Sequence, residues 1–204
     1  MGILSSSVSI TRYQVKGNLN APILEAVANG LKKNAISEID GDVSEKTVGW
    51  TSFHNPFHPD FSDSSFVYGN YFVFSLRIDK KSMSPQLIKK HFAMESARHL
   101  ASSGRQFLSR NEKKVLKDKV IQKLSVRIPA TPSIYDTIWN YEESCLWFFS
   151  NLKAANEALE NIFSHSFQLT LLRLFPYTDA YLTMALSGLE KDQLTSLSPS
   201  GFTE

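Results

Sequence analysis

Apolar positions along this chain change period from segment to segment, and the period names the element. Between Ile3 and Val15, Val8 and Ile10, with Leu4, alternate with small polar residues, which predicts a first strand packed into the core. Gly17-Asn18 marks a turn. Asn20-Ala21-Pro22 predicts a helix start with Asn20 as its N-cap, and Ile23, Leu24, Val27 and Leu31 recur at helical spacing ahead of Lys32-Lys33. Thr47 to Phe53, carrying Val48-Gly49-Trp50, predicts a short strand, and His54 to Ser65 a loop rich in Pro, Asp and Ser. Gly69-Asn70 between two β-prone runs, Phe66 to Tyr68 and Tyr71 to Ile78, predicts a hairpin.

The next stretch, Ser84 to Arg127, has one glycine and no proline after Pro85. Ser84-Pro85 is a helix-start signal, Ser103-Gly104 marks a break between two helices, and Ser109 caps the second. Pro129 to Pro132 predicts a stiff connector. Ile134 to Tyr141 and Cys145 to Phe149 predict a second, aromatic-rich hairpin. Asn151 to Phe163 predicts a helix with Leu152, Ala155, Leu159 and Ile162 or Phe163 facing inward; Phe167 to Leu174 a strand; Thr178 to Leu186 a short helix. Helices and antiparallel pairs mix without a repeating βαβ rhythm, so the expected class is α+β, with antiparallel or mixed sheets, packed helices and a long helical arm. The expected organisation is one α+β region over 1–190 and a frayed tail over 191–204, irregular from the Ser/Pro/Gly-rich Ser196 onward.

Charge changes this picture. From Lys80 to Arg127 there are thirteen Lys and Arg against Glu95, Glu112 and Asp118, a net +10. The remainder carries nine cations against seventeen acids, a net −8, inside a whole-chain balance of only +2. A weakly basic protein therefore contains a strongly basic arm, which points to a polyanion, above all nucleic acid. On a helix over 109–124, Leu116, Val120 and Leu124 form an apolar stripe. Arg110, Lys114 and Lys117 project from a neighbouring face within about one-sixth of a turn of each other. Lys113, Lys119 and Lys123 fall nearer the stripe, where their stems cover it and their amines reach water. The expected phosphate contacts are Arg110, Lys113, Lys114 and Lys117, with Lys89, Lys90, Arg98 and Arg105 adding charge from the first half of the arm. The competing reading of the same residues is a solvated, lysine-rich helix face.

Little else in the chain carries chemistry. Cys145 is the single cysteine, so no internal disulfide forms, and its aromatic strand suits a small buried filler better than a nucleophile. His54, His58, Asp60 and Asp63 share one loop, but Pro56 and Pro59 exclude a helical metal pair there, and no second His or Cys cluster accompanies them. Glu112-Lys113-Lys114 matches a nuclease Glu-x-Lys fragment, yet it lies in a helix where such a fragment belongs on a strand beside a second acid. No cofactor and no catalytic grouping is expected. Met1-Gly2-Ile3-Leu4-Ser5-Ser6 fits the myristoylation template, a chance match if the following residues pack as a core strand. No apolar run approaches a membrane span and no signal-peptide pattern opens the chain, which makes the cytoplasm the expected compartment.

Several stretches together resemble the recombination-associated protein RdgC family. These are Ser5 to Tyr13, Val48-Gly49-Trp50, Met83 to Lys89, Leu108 to Leu124 with Asn111-Glu112-Lys113-Lys114 and Leu116-Lys117-Asp118, and Trp139 through Ala154-Ala155 to Leu159. The resemblance runs co-linearly to about Leu186 and rests on that order more than on any one motif. It implies a non-enzymatic, nucleoid-associated protein that binds duplex and single-stranded DNA with little sequence preference. It also implies a ring-like homodimer threaded by DNA and a functional link to RecA, with basic residues of the arm facing the DNA path. Family members continue well past the point where this chain ends, in a part that helps form the ring. A shorter clamp, an open dimer or a divergent DNA-binding relative are the forms this leaves. The alternatives outside the family are a metal-dependent exonuclease and a protein–protein module built on exposed aromatics.

Overall fold

The computed structural model describes residues 2–62 and 65–198. Seven strands form one antiparallel sheet: β1 (Thr11–Lys16), β2 (Lys46–Thr51), β3 (Val67–Tyr68), β4 (Tyr71–Lys80), β5 (Thr131–Asn140), β6 (Cys145–Phe148) and β7 (Thr170–Leu174). Their order is β2-β4-β5-β6-β1-β7, with β3 on β4. The helices are α1 (Ile23–Lys33), α2 (Pro85–Ser103), α3 (Arg110–Arg127), α4 (Lys153–Phe167), α5 (Pro176–Thr183) and α6 (Gly188–Ser196). The class is α+β, with one antiparallel sheet where mixed pairing was also allowed.

α1 and α4 pack together on one face of the sheet. Period two puts Tyr13 and Val15 of β1, Phe74 and Leu76 of β4, Trp139 of β5, and Leu146 and Phe148 of β6 on that face, all buried. The Tyr13 hydroxyl donates to Asn156 Oδ1 at 2.6 Å, and the Trp50 indole to Ser166 Oγ at 2.7 Å, tying α4 to β1, next to one end of the sheet order, and to β2 at the other end. Gly49 of β2 is needed for a close approach: a Cβ there would lie 2.3 Å from Ile36 Cα, where the chain leaving α1 runs alongside β2.

On the opposite face the polar residues are tied down. Arg77 and Asp79, two apart on β4 and so on one face, form a buried bidentate pair at 2.8 and 2.6 Å. Asp136 accepts from Ser75 Oγ at 2.8 Å and from the Ile3 backbone N–H at 2.9 Å.

Several expectations need correction. The stretch before Thr11 is not a strand, and Leu4, Val8 and Ile10 are 89, 39 and 47 % exposed; serines leave it too few apolar side chains to bury. Of the Met1 to Ser6 template, Met1 lies outside the described residues. The N-cap of α1 is Pro22 with extended backbone, without a side-chain cap, so Asn20 lies too early to serve. Leu24 and Leu152, expected inward, are exposed. Pro132 belongs to β5, paired with Asp79; β6 reaches only as far as Thr137, so that side of β5 is open where the proline lacks its N–H. α4 extends through Phe167, which is buried in the core instead of opening a strand. The tail expected to be frayed from 191 is helical as far as Ser196, in a helix whose start is fixed by a Ser187–Glu190 capping box; Leu197 and Ser198 have no regular structure, and 199–204 lie outside the described residues.

Candidate nucleic-acid interface on the helical arm

α2 and α3 are inserted between neighbouring strands. Lys80 and Thr131 are register partners, so the chain leaves and re-enters the β4–β5 ladder at one point. The two helices form an antiparallel hairpin that packs chiefly on itself. Its local signals are as the sequence requires. Ser84 Oγ accepts from Leu87 N–H at 3.2 Å with Pro85 at N1; Gly104 ends α2 at φ 65°, a left-handed position that favours glycine. Ser109 then opens α3 with a full capping box: its hydroxyl accepts from Glu112 N–H at 3.3 Å, and Glu112 Oε2 accepts from Ser109 N–H at 2.8 Å.

At the base, Lys81 corrects the charge census. It is 4 % exposed, and its ammonium donates to the carbonyls of Asp42 at 2.6 Å and Ser125 at 2.7 Å. A cation on a last-turn carbonyl of α3 suits the negative end of that helix and clamps the arm to the body. Lys81 therefore presents no charge to a ligand.

The seam between α2 and α3 sorts the remaining cations. On one side, Lys89 of α2 and Lys117 of α3 line a shallow groove of about 520 Å³ floored by Pro85, Ile88 and Phe92. At 100° per residue, Arg110 and Lys114 project with Lys117 on this side. Lys89, Arg110, Lys114 and Lys117 are all exposed, and among the described residues none has a carboxylate within 4.0 Å. Lys113 and Lys90 are exposed too; Lys113 flanks this group, while Lys90 projects about a quarter-turn away from Lys89.

On the other side, His91, Met94, Glu95, Arg98, Lys123 and Arg127 line a second groove. There Glu95 accepts from Lys123 and lies 3.6 Å from Arg98. The Lys123 hydrogen bond and charge, helped by Arg98 and Lys119, hold the Glu95 carboxyl below the usual carboxylate range. Arg105 is paired with Glu112 at 3.0 Å. Of the eight expected contacts, the structure brings Lys89 and Lys117 to one groove, and helical spacing puts Arg110 and Lys114 on the Lys117 face of α3 toward the tip, with Lys113 beside them. It leaves Lys90 apart and gives Arg98 and Arg105 acidic partners within the arm.

Glu112 is engaged in structure. One carboxylate oxygen takes the Ser109 N–H and the other takes Arg105. The Ser109 backbone N–H first, then the Ser109 hydroxyl and the Arg105 charge, hold its carboxyl below the ordinary glutamate range. Its contribution is therefore complete above the unfolded-state value and is lost as pH falls through the lower folded value. The thermal-unfolding advantage of wild type over Glu112→Gln should be present at neutral pH and vanish on acidification below the ordinary glutamate range. An advantage that persists unchanged in acid would contradict this role.

The other candidate chemistry dissolves into local structure. His54 meets the Tyr68 hydroxyl, and Asp60 accepts from the Ser62 N–H and hydroxyl at 2.9 and 2.7 Å in a local turn. Asp63 lies outside the described residues. Among the described residues no three His, Cys, Asp or Glu side chains converge as metal ligands. Cys145 is half-buried, and burial pushes its thiol pKa up, away from a reactive thiolate. Among the described residues no helix is long and apolar enough to cross a membrane.

No family model fits this chain, and no curated protein is significantly similar to it in sequence.

Proposed function

We propose that this chain is a sequence-independent DNA-binding protein of the RdgC type, acting in the cytoplasm on the nucleoid, without catalytic chemistry of its own. The observation that carries the reading is the set of exposed cations on the arm, Lys89, Arg110, Lys114 and Lys117, with no carboxylate within 4.0 Å among the described residues, while Glu95 and Glu112 pair with other cations of the arm and Asp118 is the one acid that projects beside them. Flexible ammonium and guanidinium groups on a rigid hairpin suit phosphate oxygens and read no base edges. A homodimer and a functional link to RecA belong to the same proposal and rest on the sequence resemblance alone.

Lys114→Glu with Lys117→Glu should weaken binding to all duplex sequences alike, at least tenfold at low salt. The salt slope should fall by about two, at roughly 0.9 for each phosphate no longer neutralised. Arg98→Glu, on the acid-paired side, should change the slope less. Duplex binding by the double variant equal to wild type across a salt titration would sink the reading.

A second reading, a protein–protein module, has one observation in its favour. Phe175, Tyr177 and Tyr181 stand 51, 39 and 41 % exposed with near-parallel rings around α5. Self-association without DNA binding at low salt would favour it.

A further inference from the structure

The tip of the arm carries a feature that phosphate contact does not use. Phe107, in the link between α2 and α3, is 83 % exposed, more than any other exposed aromatic among the described residues; Phe57 follows at 57 %. The link that holds it is built firmly. Gly104 ends α2, the Ser109–Glu112 box starts α3, and Arg105 reaches over to Glu112. Leu108, the next residue, is 9 % exposed and anchors the turn from below. An apolar ring is thus held outward on a fixed support, flanked by cations. From Arg105 to Lys114 there are four Arg and Lys against Glu112 alone, a net +3.

We propose that Phe107 stacks on an unpaired base, giving the arm a preference for single-stranded DNA over duplex. The inference rests on the DNA-binding reading above and adds the strand form to it. An aromatic face amid basic side chains is the combination that holds single strands: the cations follow the backbone while the ring stacks on a base of any sequence. Wedging into a duplex step would first have to unstack it. Two-sided wedges achieve that with several apolar groups, and here Leu108 is buried and a single ring stands at the tip. An unpaired base asks for no such cost.

The test compares wild type, Phe107→Ala and Phe107→Trp on a 2-aminopurine-labelled single strand and on the matching duplex, each across a salt titration. The alanine variant should lose about tenfold in single-strand affinity and the 2-aminopurine quenching, with duplex affinity and both salt slopes unchanged. The tryptophan variant should keep the affinity and have its added emission quenched by the single strand. If Phe107→Ala binds both forms as wild type does, or loses both equally, stacking is overturned while phosphate binding stands. A change in sedimentation of Phe107→Ala without DNA would assign the ring to self-association and also overturn it. If wild type binds neither form at low salt, the DNA reading fails and the stacking role with it.

Discussion

Asp79→Ala should lower the unfolding free energy by about 3–5 kcal/mol, because it strands a buried guanidinium. Arg77 is 5 % exposed and Asp79 2 %. Asp79 takes two of the guanidinium's hydrogen bonds, while the Pro56 carbonyl accepts a third at 3.3 Å and the Phe57 ring lies over it with its centroid 5.2 Å away. Glu38, at 3.9 Å and largely exposed, is too solvated to replace Asp79. Replacing both partners with Arg77→Met and Asp79→Leu should cost much less, since no charge is then left unpaired. Urea midpoints for the single and double variants check this. A double variant as unstable as Asp79→Ala would show that the loss is packing rather than an orphaned charge.

Trp139→Ala should cost about 3–5 kcal/mol by opening a cavity at the centre of the core. Trp139 is fully buried and meets Phe72, Tyr141, Phe163 and Phe167 at centroid distances of 5.0–5.8 Å. Its indole N–H has no hydrogen-bond acceptor among the described residues. Trp139→Phe should therefore be milder than the lost volume alone suggests, because it also removes a buried unsatisfied donor. Trp50→Phe is the contrast: Trp50 is equally buried, but its N–H is satisfied by Ser166, so the same change removes a hydrogen bond. Thermal unfolding should rank Trp50→Phe as the more damaging. The reverse order would mean that the Trp139 N–H is stabilised by its surroundings.

Much of the arm was legible in sequence because its signals are local. Ser84-Pro85, Gly104 and Ser109 act within a single turn, and all three stand where the chain places them. Ser187-x-x-Glu190 was as legible as Ser109-x-x-Glu112, but its polar, Ser/Pro-rich surroundings masked it. The errors fall where burial decides. Serine alternation before Thr11 has the period of a strand without the apolar area to hold one. The residues from Asn151 to Phe167 read as a helix and the start of a strand; the core, by burying Phe163 and Phe167 together, keeps both on α4.

The sequence by itself determined the mixed α and β class, the hairpin turn at Gly69-Asn70, the two-helix arm with its caps, and the concentration of positive charge on it. Each depends on neighbours a few residues apart, through backbone geometry, capping or simple proximity of charge. The tertiary structure decided which of those charges a ligand could meet. Lys81 is turned inward onto Ser125, and Glu95 is brought against Lys123, because packing brings together residues far apart in the chain. The seam between α2 and α3 leaves Lys89, Arg110, Lys114 and Lys117 on one side without acidic partners among the described residues. Coulomb interactions act through space, so a census along the chain counts every lysine alike, and only the fold distinguishes the paired from the exposed.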